Sequence, residues 1–334
     1  MLEVDKLVTK VINLGDKKLS YSDDVFNIAY GVDKNFLLGT GVSITSIIVN
    51  NKDIDFHFHV FTDFFDDEQE SLFSQLAKQY NTQITIYLLK CEELKKLPTT
   101  QIWSYAIYFR LIIMDYLYDK IKNILYLDSD IFCKGCLSDL KKFNFDDNII
   151  LYAVHDNKAK HRSNLKIKTD NYFNSGFLYV SLLKYYKNNI TKKVLNQIKI
   201  NNKLVYPDQD ALNICLNENV FLIDVKFNTF FCIDDLLKVK LKNKYFIPQN
   251  SVLIHYLGLT KPWHDWVCNY PEIKLFNLTK LNSPWAKHDL VRPKTYKEIS
   301  IKSKHLKFQD KLFKSFIFFI KYLLVKFNMN FFKT

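Results

Sequence analysis

A chain of 334 residues with 48% hydrophobic content is long enough for one large core and a smaller appendage, and its 7 Gly and 7 Pro give no support to a collagenous, solenoid or linker-rich protein. The formal charge of +12 is concentrated at one end: Lys287 to Thr334 holds 12 Lys/Arg against 3 Asp/Glu, which leaves the rest close to balance and argues against a molecule-wide nucleic-acid surface. Six scattered cysteines, with Glu3 and Asp5 where a charged-then-apolar leader would lie, suggest reduced thiols in a cytoplasmic protein, and the lone Cys133-Lys-Gly-Cys136 pair lacks the second pair of a zinc site.

The first strong strand signal is Val25-Phe-Asn-Ile-Ala-Tyr, so residues 1–23 are expected to be a loosely attached leader. A helical stretch, Leu37 to Val49, is followed by alternating Phe56-His-Phe-His-Val-Phe, an acid-rich helix over Glu68–Tyr80 and a β-rich Gln83–Leu89. Strands alternating with helices predict an α/β fold with a mostly parallel, helix-covered sheet. An amphipathic segment from Ile102 to Leu117 carries Trp103, Tyr105, Tyr108 and Arg110, and leads to the apolar strand Ile124–Leu127. Asp128-Ser129-Asp130 ends that strand. In open α/β sheets the ligand crevice lies at the carboxyl ends of strands, so these carboxylates are expected to face a ligand.

Next come a strand at Ile149–Val154, the segment Phe173-Asn-Ser-Gly-Phe-Leu-Tyr-Val, one helix over Leu182–Ile200 and another opening at Tyr206-Pro-Asp-Gln-Asp. Pro207 suits a helix start. Strands over Val220–Val225 and Val252–Tyr256 close the body, with Lys261-Pro-Trp263 in the loop after. From Ser283 the texture changes to Lys-rich helices with aromatic faces. No run of about 18 apolar residues occurs, because Phe316-Ile-Phe-Phe-Ile is broken by Lys321, so no membrane span is expected.

Three segments carry chemistry. Asp128 and Asp130 repel one another, and a hard cation such as Mn²⁺ or Mg²⁺ is a common reason to tolerate the pair, although Asp-x-Asp also occurs in turns and helix caps. His255-Tyr-Leu-Gly258-Leu-Thr-Lys261-Pro-Trp263 offers a third metal ligand, a glycine where backbone can approach a phosphate, and a lysine; separately, the histidine fits a core position and the lysine a solvated one. Tyr30-Gly31-Val32-Asp33-Lys34-Asn35-Phe36 fits nucleotide recognition and, nearly as well, a plain strand-to-helix turn.

In this order, together with Tyr108-Phe-Arg110-Leu, Tyr172-Phe-Asn174-Ser-Gly176 and Tyr206-Pro-Asp208-Gln209-Asp210, the segments resemble glycosyltransferase family 8 over most of the chain. These are retaining α-glycosyltransferases that include bacterial lipopolysaccharide glucosyl- and galactosyltransferases. The resemblance implies a GT-A-like, Rossmann-like fold and transfer of glucose or galactose from UDP-glucose or UDP-galactose, with Mn²⁺ or Mg²⁺. It puts Gly31 through Phe36 at the uridine and assigns Asp128, Asp130 and His255 to the metal, with Ser129 beside the donor. Gly258 and Lys261 would take the diphosphate. Arg110, Asn174 and Asp208 would hold the donor sugar, Gln209 would lie beneath the anomeric carbon, and Asp156 is a further carboxylate on the donor or acceptor side. Because an amide is a poor nucleophile, the expected route is front-face attack with Asp208 and Asp210 organising the site.

The expected division is a leader over 1–23, a GT-A-type catalytic domain over 24–282 and a basic amphipathic extension over 283–334. Ser283-Pro-Trp-Ala-Lys and the basic tail look like the extension of lipopolysaccharide core transferases, so the favoured acceptor is lipopolysaccharide core, with capsule or protein glycan as alternatives. Lys304–Lys326 interleaves Leu, Ile and Phe with lysines, which suits either the anionic cytoplasmic face of the inner membrane or docking on the catalytic domain. Of two rival classes, a metal-dependent sugar phosphatase or nucleotidyltransferase leaves His255–Trp263 and Asp208-Gln-Asp210 unexplained, and a non-catalytic nucleic-acid binder would use a basic tail that is separable from the carboxylate-lined region.

Overall fold

The computed structural model describes residues 4–16, 24–99, 104–146, 148–156, 165, 167, 171–238 and 247–331, without the side chains of 328–331. Trp103 lies outside them. Its strands are β1 (Val8–Leu14), β2 (Phe26–Val32), β3 (Phe56–Thr62), β4 (Gln83–Leu89), β5 (Asn123–Leu127), β6 (Ile131–Cys133), β7 (Leu151–His155), β8 (Phe173–Ser181), β9 (Val220–Ile223), β10 (Thr229–Cys232) and β11 (Leu253–Leu257).

Eight strands form one sheet in the order β1-β4-β3-β2-β5-β8-β7-β9, and β10-β11-β6 form a second. Four consecutive strands, β4, β3, β2 and β5, run parallel, while β1, and β8 relative to both its neighbours, pair antiparallel. The fold is thus α/β with a mostly parallel centre, as its alternating elements predict. Side-chain alternation divides the core: Ile28, Tyr30, Phe58 and Val60 pack with residues of helices Leu37–Asn50 and Asp67–Gln79, whereas Ala29 and Phe61 pack with helix Phe109–Leu117. Burial on both faces explains why β3 is buried along its whole length and reads as a continuous apolar-aromatic run apart from two histidines.

Two expectations are corrected. Residues 8–14 are no loose leader: β1 pairs with β4 at the sheet edge, and Leu7 and Leu14 enter the core. Only one side of an edge strand is covered, so Val8-Thr-Lys-Val-Ile-Asn-Leu shows little apolar patterning. The single helix expected over Leu182–Ile200 is two, Leu182–Lys187 and Ile190–Ile200, separated at Asn189 with φ 53°. Asparagine tolerates this left-handed conformation and so stops the first helix.

Among the described residues beyond Pro271 the regular elements are all helices. Helix Tyr296–Phe308 starts with a reciprocal Thr295–Glu298 capping box. Helix Leu312–Phe331 packs back on it, with Ser303 Oγ donating to the carbonyl of Ser315 at 2.9 Å and Ser315 Oγ to that of Ser303 at 2.8 Å. Among the described residues no helix is long and apolar enough to cross a membrane.

Candidate functional site

The Asp128-Ser129-Asp130 turn joins the two sheets. It leaves the large sheet at Leu127 and enters the small one at Ile131, and the 3.1 Å bond from Ile131 N to Asp128 O closes it. The antiparallel register of β6 and β11 puts His255 opposite Ile131, and Tyr256 N donates to Asp130 O at 3.0 Å. Strand register alone therefore brings the imidazole to the acidic turn. One oxygen or nitrogen from each of Asp128, Asp130 and His255 lies within 4.8 Å of the others.

A network of fixed polarity orients that imidazole. The amide hydrogen of Gly176 points at Asn174 Oδ1 at 3.0 Å, so Asn228, also 3.0 Å from that oxygen, must present its NH₂ there. Its own Oδ1 then faces His255 Nδ1 at 3.1 Å and requires the ring hydrogen at Nδ1. In the neutral ring Nε2 offers a lone pair, and it lies 3.2 Å from Asp130 Oδ1. That oxygen is buried and accepts no hydrogen bond from the described residues. A lone pair beside an anionic oxygen is unfavourable unless a cation lies between them. Adjacent ligands of an octahedral ion with ~2.1 Å bonds sit roughly 3 Å apart, so the donor set and spacing fit a hard divalent metal.

Gly176 makes this closeness possible. A Cβ there would lie 2.6 Å from His255 Cε1 and 2.7 Å from Asp128 Oδ2. Lys261 Nζ takes the other oxygen of Asp130 at 2.5 Å and also donates to Tyr256 O at 2.9 Å. Burial opposes the charged form of Asp130, but the Lys261 ammonium beside it holds its carboxyl well below the usual range. Gly258, at φ +92°, makes the turn that returns the chain toward Lys261, a conformation glycine adopts without strain.

Behind the acidic turn lies buried Arg110. Its guanidinium donates to the carbonyl of Ser175, reaches Asp128 Oδ1 at 3.1 Å and Asp208 Oδ2 at 3.2 Å, and lies 4.7 Å over the ring of Tyr126. Asp128 Oδ1 also accepts from Tyr126 OH at 2.9 Å. Burial pushes the Asp208 carboxyl above its usual range, against the pull of Arg110.

Gln209, at the start of helix Pro207–Leu216, is held at both ends of its amide. Oε1 accepts from Ser175 N at 3.0 Å and Asn174 Nδ2 at 3.2 Å, and Nε2 donates to Asp156 Oδ2 at 3.1 Å and Tyr172 OH at 3.0 Å. Asp156, Gln209, Asn174, Asn228 and His255 thus form one hydrogen-bonded line ending at the acidic turn. Asp210 has another place: fully buried, it accepts from Tyr172 OH and from the backbone of Val205 and Tyr206. It braces the helix entry and Tyr172.

The Gly31–Phe36 turn is only partly available to a ligand. Gly31 lies so close to Phe109 that a Cβ would meet it at 2.7 Å, and Val32 is in the core. Asp33 caps the turn by accepting from Asn35 N at 2.9 Å and also accepts from Ser104 Oγ at 2.8 Å. Lys34 Nζ rests 3.9 Å over Phe64, and Phe36 meets Trp263 edge to face at 5.6 Å. That last contact joins the turn to the Lys261 loop. Sequence reading missed Asn228, a single polar residue outside any acid-x-acid or Gly-containing pattern; only the contacts of the folded chain distinguish it.

This architecture is that of GT-A glycosyltransferases. The crystal structure of the galactosyltransferase LgtC in complex with donor and acceptor sugar analogs matches with a TM-score of 0.66 at 21% identity, over 77% of this chain and 96% of that one. The sequence takes the assignment further: residues 27–267 match glycosyl transferase family 8, and residues 270–326 match the glycosyl transferase family 8 C-terminal region. The chain belongs to glycosyltransferase family 8 and is a hexosyltransferase. It is 42% identical to the lipopolysaccharide 1,3-galactosyltransferase of Salmonella typhimurium strain LT2 over 85% of this chain and 86% of that protein. It is 37% identical to the lipopolysaccharide glucosyltransferase WaaO of Escherichia coli K12 over 93% and 94%.

Proposed function

We propose that this hexosyltransferase moves glucose or galactose from a UDP-sugar, with retention, to the lipopolysaccharide core, using Mn²⁺ or Mg²⁺ held by Asp128, Asp130 and His255. The observation that carries the reading is the convergence of those three side chains, with the lone-pair edge of His255 turned to a hydrogen-bond-free oxygen of Asp130. Bound there, the cation neutralises charge developing on the departing UDP.

The same proposal gives each residue of the site a role. Gly31 through Phe36 border the uridine, with Gly31 and Val32 contributing backbone. Gly258 and Lys261 take the diphosphate, which the position of Lys261 Nζ on Asp130 supports. Ser129, Arg110, Asn174, Asp156 and Asp208 surround the donor hexose. Gln209 stands under the anomeric carbon with its amide fully engaged, which supports front-face attack over a covalent adduct. In that route the bond from C1 to the β-phosphate oxygen breaks, the acceptor oxygen bonds to C1 from the same side, and its proton passes to the β-phosphate. Asp210 is a positioning residue, holding Tyr172 against Gln209.

Acceptor and location rest on the relatives' names and on the tail. Leu312–Phe331 keeps Phe313, Phe316, Leu324 and Phe327 exposed beside Lys314, Lys321 and Lys326, which supports contact with the anionic cytoplasmic face of the inner membrane. The deciding experiment incubates the purified protein with Mn²⁺, UDP-glucose, UDP-galactose or their N-acetyl forms, and core oligosaccharide truncated to successive lengths. A hexose added with retained anomeric configuration to one truncation is the expected product. Transfer only to capsule or protein glycan would replace the acceptor, and release of phosphate from sugar phosphates without transfer would sink the reading.

A further inference from the structure

The carboxy-terminal helices grip the loop that carries Lys261. His305, on helix Tyr296–Phe308, has no solvent exposure; its Nδ1 lies 2.9 Å from Tyr270 OH and its Nε2 2.9 Å from Asp234 Oδ1. The same Asp234 oxygen accepts from Thr260 Oγ1 at 2.5 Å, and its second oxygen accepts from Thr260 N at 3.3 Å. Thr260 is fully buried and immediately precedes Lys261, whose own N–H donates to His264 Nδ1 at 3.1 Å. Around this line, Lys302 Nζ pairs with Asp265 at 2.6 Å, and Gln309 Nε2 donates to Trp266 O at 2.6 Å. On the opposite side of the loop, Lys294 Nζ reaches Asn35 Oδ1 at 3.0 Å in the turn after β2.

We propose that His305 is a positioning residue for the donor diphosphate: through Asp234 it fixes Thr260, and thereby holds the Lys261 ammonium where it meets the phosphates. The extension is then part of the donor site as well as a surface appendage. Gly258 supplies a turn that adds no side-chain contact, so the anchor after it is Thr260, and Asp234 is the carboxylate that takes both its hydroxyl and its amide hydrogen. Asp234 in turn is kept charged in a largely buried place because His305 and Thr260 favour its anionic form against burial. Removing the imidazole leaves that carboxylate short of a donor, and it then has reason to turn toward water and release Thr260.

The proposal rests on Lys261 being a diphosphate ligand, and the test separates the two. UDP with Mn²⁺ is titrated calorimetrically into the full-length protein and its variants. K261A is expected to weaken binding. H305A and T260V are each expected to weaken it about 10-fold, the scale of a hydrogen bond to a charged group. H305Q, whose amide can still donate to Asp234, should recover most of the loss. The H305A/K261A double variant should bind no worse than K261A, because both changes remove the same contact. Additive losses, or full affinity in H305A beside a weakened K261A, overturn the proposal. Undiminished binding in K261A overturns the diphosphate assignment itself, and the proposal with it. Should H305A fail to fold, T260V against K261A gives the same cycle with the extension intact, and additivity there is the overturning result.

Discussion

Asn228 accepts the Nδ1 hydrogen of His255 across 3.1 Å, and it is the orientation of Asn228 that leaves the opposite nitrogen of the ring bare toward Asp130. A ligand imidazole held in this way loses both its preferred tautomer and its aim when the partner is removed. Asn228→Ala is therefore expected to weaken Mn²⁺ binding about 10–100-fold, the range found for outer partners of metal-bound histidines. Paramagnetic titration of the apo protein with Mn²⁺ measures it. Unchanged affinity would mean that the ring needs no such support.

Asp130→Asn removes a charged ligand and leaves Lys261, with only 12% of its side chain exposed, without its anion. Transfer is expected to disappear while the far-ultraviolet circular dichroism spectrum stays that of the native fold. Activity that survives either the substitution or a chelator such as EDTA would contradict the metal site.

Gly176→Ala probes the same place from below, since its methyl would press on His255 and Asp128 at once. Overpacking of this kind costs about 1–3 kcal/mol, which a protein of this size can bear. We expect a folded protein, with a lowered melting temperature, that binds Mn²⁺ at least tenfold more weakly. A variant that loses stability but keeps its metal affinity would show that the site yields easily.

How much of this was legible beforehand depends on which physical signal carried each part. The parallel centre was legible because apolar runs such as Ile124–Leu127 alternate with helix-period segments, and each signal is local. The meeting of Asp128, Asp130 and His255 was legible because the two aspartates are separated only by Ser129 and His255 lies in its own strand signal. Edge strand β1 was not, since an edge is half solvated and carries little pattern. Nor was Asn189, where one residue's backbone, and no change in hydrophobic period, divides a helix. The buried role of Asp210 was hidden for another reason: sequence places it two residues from Asp208 without saying that a helix turns the two carboxylates to different neighbours, Arg110 for one and Tyr172 for the other.

The sheet also contains a buried pair of histidines that resists protonation. His57 and His59 are buried with ring centroids 3.9 Å apart, His57 bonded to Thr85 Oγ1 and His59 set between Tyr87 OH and Asn27 Oδ1. Burial lowers His57 to about 4 and His59 well below 6.5, the latter further depressed by its neighbour. The unfolded chain takes up these protons near pH 6.5 and the folded chain does not, so folding stability falls as pH drops from about 6.5 toward 4. For His57 alone the loss approaches about 3 kcal/mol at the bottom of that window. Urea midpoints at pH 7 and pH 4.5 should differ less in His57→Gln than in the parent; equal differences would rule out this histidine as the cause.

The last helix can be tested without disturbing the fold, because its outward residues touch so little of the protein. Phe313, Phe316 and Leu324 are 78%, 61% and 62% exposed, recur along one stripe of Leu312–Phe331, and are flanked by Lys314, Lys321 and Lys326. The inner side of the same helix is engaged: Ser315 bonds to Ser303, and Lys302 lies 4.3 Å over Phe318. The inward contacts are with helix Tyr296–Phe308 of the same extension, so the docking is within the extension and not on the catalytic domain, and the membrane surface is the proposal for the outward stripe. A stripe of exposed aromatics with a basic border gains energy from apolar burial in the headgroup region and from attraction to anionic lipid, and salt weakens only the second. Replacing Phe313, Phe316 and Leu324 with Ser should abolish sedimentation with vesicles of phosphatidylethanolamine and phosphatidylglycerol, while leaving UDP affinity and melting temperature near those of the parent. Parent protein that stays in the supernatant with such vesicles at low salt would remove the case for a membrane surface and leave the stripe to another partner.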